Sequence, residues 1–149
     1  MECNPAVIRF AALLLAVLIC APVCAQERLL LVAAADSPLE TLSSFEVRKI
    51  YLGISVFRDG HSVRALRNDT DPRLKEVFLQ SVVGLSEDSY ERRLLTNTFK
   101  FATARPERIS KPSDMAPLLR ADPYAVTYIW GTDIAPPGFK ILRVLWQSY

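Results

Sequence analysis

Arg67-Asn68-Asp69-Thr70-Asp71-Pro72-Arg73 holds the densest set of groups able to act on a ligand. A strand pattern ends there, polar capping residues follow, and a helix pattern opens with Pro72 at its first position. The free N–H groups and dipole at such a junction attract an anion. Arg67 and Arg73 add guanidinium groups suited to clamp an oxyanion, and the Thr70 hydroxyl and Asn68 amide add donors. Asp69 can accept the proton of a protonated oxyanion. The competing reading is a self-capped helix, in which Asp69 and Asp71 satisfy the first-turn amides and repel anions.

A second stretch, Phe99-Lys100-Phe101-Ala102-Thr103-Ala104-Arg105-Pro106-Glu107-Arg108, interleaves basic and aromatic residues. Arg105, Arg108 and Phe101 are its candidate partner contacts. The plainer reading is a solvated connection with Phe99 and Phe101 packed down. Other chemistries find little to stand on. His61 is the single histidine and lies on a turn, which suits solvation better than catalysis. There is no Gly-rich phosphate loop and no G-x-S-x-G, so no catalytic residues, metal ligands or cofactor are assigned.

The elements that must position these groups follow from local patterns. Arg28–Ala35 is a continuous apolar run closed by Asp36-Ser37-Pro38. It predicts a strand buried on both faces, as in a parallel sheet. Ser43-Ser44-Phe45-Glu46 is a capping box, with Gly53 placed to stop its helix. Asp59-Gly60 between apolar flanks predicts a hairpin turn, and Ser62–Leu66 alternates as a strand. The helix from Pro72 carries Leu74, Val77, Phe78, Ser81 and Val82 on one face and ends at Gly84. Ser86-Glu87-Asp88 opens another, with Tyr90, Leu94, Leu95 and Thr98 inward. Residues 99–112 read as a connection, Ser113-Asp114 as the cap of a short helix, and Ala125–Trp130 and Lys140–Trp146 as two final strands. The order β-α-β-β-α-α-α-β-β predicts an α/β domain, a mixed sheet flanked by helices.

The chain of 149 residues is 50% apolar with a net charge of +2. That balance suits a globular domain and gives no basic field for nucleic acid. Arg9, the ten-residue apolar run Phe10–Ile19 and Val23-Cys24-Ala25 follow the plan of a cleaved signal peptide over residues 1–25. Cleavage after Ala25 removes Cys3, Cys20 and Cys24, leaving a domain over 26–149 with no thiol. Its stability then rests on a packed core, and its destination is an oxidising compartment such as the periplasm.

Four motifs in order resemble a known family. Leu42-Ser43-Ser44-Phe45-Glu46-Val47-Arg48-Lys49-Ile50-Tyr51-Leu52-Gly53 is similar to the L-S-x-x-E-(L/V)-x-x-I-(Y/F)-x-G segment of phosphate-type periplasmic binding proteins of ABC importers. Phe57-Arg58-Asp59-Gly60 resembles the W-x-(D/N)-G continuation. Val63–Asn68 with Phe78 resembles the next strand and helix, and Pro123–Ile129 the P-G-A-I-G-Y-V strand. The resemblance implies one lobe of a type II periplasmic binding protein. By that likeness the chain is an exported solute-binding module that binds phosphate or a similar oxyanion for an importer, and is not an enzyme. Arg67, Asn68, Asp69, Thr70 and Arg73 are the implied ligand residues. The family's R-x-D-x-S-G-T loop is altered here, with Asp71-Pro72 near its Ser-Gly pair, and Ala102, Thr103 and Ala104 stand where its glycines are expected. The alternative is an interaction or sensing module that docks on a membrane sensor or permease without tight ligand binding. Self-association is a further expectation, since a single lobe exposes what a second would cover.

Overall fold

The computed structural model describes residues 26–132 and 134–148; the expected signal peptide, 1–25, lies outside them. A five-stranded mixed sheet forms the centre. In chain order its strands are β1 (Arg28–Ala34), β4 (Arg64–Asn68), β5 (Glu107–Ile109), β6 (Ala125–Gly131) and β7 (Phe139–Gln147), and across the sheet they run β5-β4-β6-β1-β7. A small hairpin, β2 (Phe57–Arg58) and β3 (His61–Ser62), stands apart. Helices α1 (Ser44–Tyr51), α2 (Pro72–Phe78), α3 (Glu87–Phe101) and α4 (Pro112–Ala121) complete the fold.

Period-two alternation divides β1 between two cores. Leu29, Leu31 and Ala33 pack with residues of α1, α2 and α3, including Ile50, Leu74 and Leu94. Leu30 and Val32 face the opposite side with Met115 of α4. The expectation of a strand buried on both faces therefore holds, but its parallel setting does not. β1 pairs antiparallel with both β6 and β7, whereas β4 is parallel to β5 and β6. Helices on both sides of the sheet bury the strand whatever its direction, so apolarity along it reports coverage and not orientation.

The local signals were read by the backbone as written. Ser43 Oγ accepts the Glu46 amide while the Glu46 carboxylate accepts the Ser43 amide, and Gly53 follows the helix at φ +77°. Asp59 and Gly60, both at positive φ, turn the hairpin. The amide of Ser43 and then the guanidinium of Arg58 hold the Glu46 carboxyl at about 2, below its ordinary 4.5. A depressed folded-state value means that this stabilisation is complete above pH 4.5 and is lost as pH falls from there towards 2. We expect Glu46→Gln to cost ~1 kcal/mol at pH 7, with solvent screening included, and to remove that part of the acid dependence. Urea midpoints for both proteins between pH 7 and pH 3 check it; parallel pH curves would refute the assignment.

Five expectations shift. A π-turn over Leu79–Val83 follows α2 and inserts a residue into the helical register. Leu79 and Val83 are buried, Val82 packs half-buried against the same core, Ser81 is exposed, and Gly84 closes the segment at φ +71°. Along α3 the inward stripe is Tyr90, Leu94 and Asn97, with Leu95 outside. The same helix runs on through Phe99 and Phe101, leaving both exposed (82% and 51%) where packing down was expected. α4 begins at Pro112, with Lys111 at its N-cap and Ser113 and Asp114 inside the first turn. The connection also contains β5, three residues too short to show alternation.

Candidate functional site at the ends of the parallel strands

β4 and β6 pair only at Arg64–Ala125 and Ala65–Val126. Beyond that point side chains bridge them. Thr127 Oγ1 donates to the Leu66 carbonyl at 3.0 Å, and Asn68 Nδ2 to the Tyr128 carbonyl at 2.9 Å. The Tyr51 hydroxyl reaches the Leu66 carbonyl at 3.1 Å. These bonds satisfy buried carbonyls that the ladder no longer serves. They also hold the end of β4 at a set distance from β6.

On the other side of β4 the register sets Arg67 beside Arg108 of β5. Both reach across to Glu91 on α3. Arg67 Nη2 donates to Glu91 Oε1 at 2.6 Å and Arg108 Nη2 to the same oxygen at 2.8 Å, while Arg105 Nη1 lies 4.0 Å from Oε2. The Arg67 guanidinium also sits over the Tyr90 ring, 4.9 Å from its centroid. Burial, the largest influence, would lower the Arg67 pKa, but the bond to Glu91 together with the charges of Tyr90, Glu91 and Asp69 outweighs it and the net shift is upward. Burial likewise pushes Glu91 up, and Arg67 with Arg108 bring it below its ordinary value. Arg67 and Glu91 therefore face each other as a charged pair near neutrality.

Asp69 continues from β4 into this cluster. Its amide donates to the Ile109 carbonyl, and Oδ2 lies 3.6 Å from Arg108 Nε. Its Oδ1 is buried and accepts no hydrogen bond among the described residues. Asn68 Oδ1 accepts both the amide and the hydroxyl of Thr70, at 3.1 and 2.6 Å, which fixes the turn after the strand.

The start of α2 is arranged differently. Asp71 Oδ1 accepts the amides of Arg73 and Leu74, and its Oδ2 accepts the indole N–H of Trp130 at 3.0 Å. Burial raises the Asp71 carboxyl, but these donors hold it below its ordinary value overall. The first-turn amides are thus satisfied internally. Arg73 turns the other way and forms a two-bond pair with Glu27. So the structure gathers Arg67, Asn68, Asp69 and Thr70, and sets Arg73 apart. It also brings Arg105 and Arg108, which the sequence placed in a separate stretch, onto the same carboxylate as Arg67. Glu91 was missed. Its one sequence signal is position: it follows Tyr90 at the rim of the buried stripe of α3. Phe101 lies exposed near Lys100, whose Nζ is 5.9 Å from its ring centroid. Among the described residues no group of three or more His, Cys, Asp and Glu could hold a metal ion.

The folded arrangement has counterparts among solved structures. One is an ABC-type phosphate transport receptor from Vibrio cholerae, with a TM-score of 0.56 and 15% identity over 79% of this chain and 46% of that one. Another is a putative phosphate ABC transporter substrate-binding protein from Clostridium perfringens with bound phosphate, with a TM-score of 0.59 and 13% identity over 79% and 45%. The chain has the fold of part of a phosphate ABC transporter substrate-binding protein. It spans less than half the length of either structure. No protein-family model and no curated protein matches the sequence.

Proposed function

We propose that this chain is an exported solute-binding module that takes a phosphate-like oxyanion at the ends of β4 and β5, without catalysis. One observation carries the reading. Among the described residues a buried carboxylate oxygen, Asp69 Oδ1, lacks a donor beside three guanidinium groups that outnumber the two carboxylates, Asp69 and Glu91. A tetrahedral oxyanion that still carries a proton fits both needs. Its unprotonated oxygens take N–H groups from Arg67 and Arg108, and its O–H donates to Asp69. Asn68 and Thr70 act by fixing the turn that aims Asp69. The likeness to two phosphate receptor structures supports the same reading, and with it delivery to an importer from the periplasm. It lends nothing to the alternative of a module docking on a membrane sensor without a tight ligand.

Isothermal titration of the purified protein with inorganic phosphate, and with sulfate beside it, tests this. The expected result is saturable phosphate binding, weakened at least about tenfold in Arg108→Ala, since a hydrogen bond to a charged group contributes about 1.5–3 kcal/mol. Arg108 is half-exposed, so its removal leaves the fold in place. No heat with millimolar phosphate or sulfate would overturn the reading.

A further inference from the structure

We infer that Glu91 is a built-in competitor for the oxyanion: its carboxylate occupies the guanidinium groups that a bound anion would use, and it must swing out for the ligand to enter. The inference rests on the oxyanion reading above and concerns how that site is controlled.

The distribution of partners around the cluster is uneven. Glu91 draws three guanidinium groups, and both short bonds end on the single oxygen Oε1. Asp69 Oδ1, in the same cluster, receives no donor among the described residues. Elsewhere on the surface a carboxylate takes one cation, as Glu87 takes Lys75. Arg67 is closed to solvent, with its side chain only 4% exposed, whereas the Glu91 side chain is 30% exposed and Arg108 52%. An anion arriving from water therefore meets Arg108 first and reaches Arg67 only through the position that Glu91 holds. For a monoanion the exchange conserves charge, one carboxylate leaving to water as one oxyanion enters; a dianion adds one negative charge to a cluster whose three guanidinium groups then face Asp69 and the ligand. Glu91 can leave because it is not part of the buried core of α3, and Arg67 keeps the Tyr90 ring beneath it throughout. Such an internal competitor lowers the apparent affinity by the fraction of molecules in which it is bound.

Glu91→Gln keeps the shape and a weak acceptor but removes the charge, so the cluster gains one net positive charge. Titrating wild type and Glu91→Gln with inorganic phosphate should show at least about tenfold tighter binding in the variant. Thermal melts give a second readout. Without anion the variant melts below wild type, because Arg67 has lost its counter-charge; with millimolar phosphate it recovers, and rises more than wild type does. Equal or weaker phosphate binding in Glu91→Gln, with normal binding in wild type, would overturn the inference and leave the oxyanion reading intact. Absence of binding in both proteins overturns both. If Glu91→Gln does not fold, Glu91→Asp serves. It keeps the charge but withdraws it by one methylene from Arg67, and its expected affinity lies between the two; affinity equal to or below wild type overturns the inference.

Discussion

Arg67→Ala should lose phosphate binding altogether and about 2–3 kcal/mol of folding stability. Two terms add. In the proposed oxyanion site the buried guanidinium is the central donor, held from behind by the Tyr90 ring and from the side by Glu91. Removing one member of a buried ion pair costs about 3–5 kcal/mol when its partner is left alone in the interior. Here Glu91 is part exposed and keeps Arg108, which brings the cost below that range. Arg67→Lys separates the terms. It retains charge but not the flat, two-armed geometry that stacks on an aromatic ring while bonding a carboxylate, so it should recover part of the stability and little of the binding. Urea unfolding and phosphate titration of the three proteins provide the measurements. Wild-type affinity in Arg67→Ala would remove this residue from the site.

The largest purely structural effect is expected at Phe78. Phe78→Ala should destabilise the fold by ~4 kcal/mol, a large share of the 5–15 kcal/mol that holds a domain together. The ring is 1% exposed. It stacks on Tyr128 at 3.7 Å between centroids with planes 3° apart, and meets Tyr51 edge-on at 4.6 Å. Alanine leaves a cavity beneath both tyrosines that packed neighbours cannot fill. The loss also reaches the site. The Tyr51 hydroxyl and the Tyr128 carbonyl are two of the fixed points that hold β4 away from β6. Phosphate affinity in Phe78→Ala should therefore fall with stability, while Phe78→Leu, which keeps most of the volume, should lose less of each. A urea midpoint unchanged in Phe78→Ala would show that the aromatic cluster does not support the fold as described.

Much of the chain was legible without coordinates. The capping box at Ser43 and Glu46, the Asp59-Gly60 turn, the Asp71 and Pro72 helix start, the Ser86 cap and the Gly84 stop all appear where the residues indicated. Each of these is settled by bonds or dihedral preferences within about four residues, so neighbours in the chain carry the whole instruction. The mixed sheet with helices on both faces followed from the order of those elements. Strand direction in β1 did not, because burial is the same for either orientation. Nor did the register shift after Phe78, where one extra residue in a helical turn moved Leu79 and Val83 inward and left Ser81 outside. The charge cluster was least visible of all. Arg67, Arg105 and Arg108 meet Glu91 only because β5 lies parallel beside β4 and α3 brings Glu91 within reach of them. Ion pairing acts over a few ångströms in space and leaves no periodic trace along a chain, so packing alone decided which arginine faces which carboxylate.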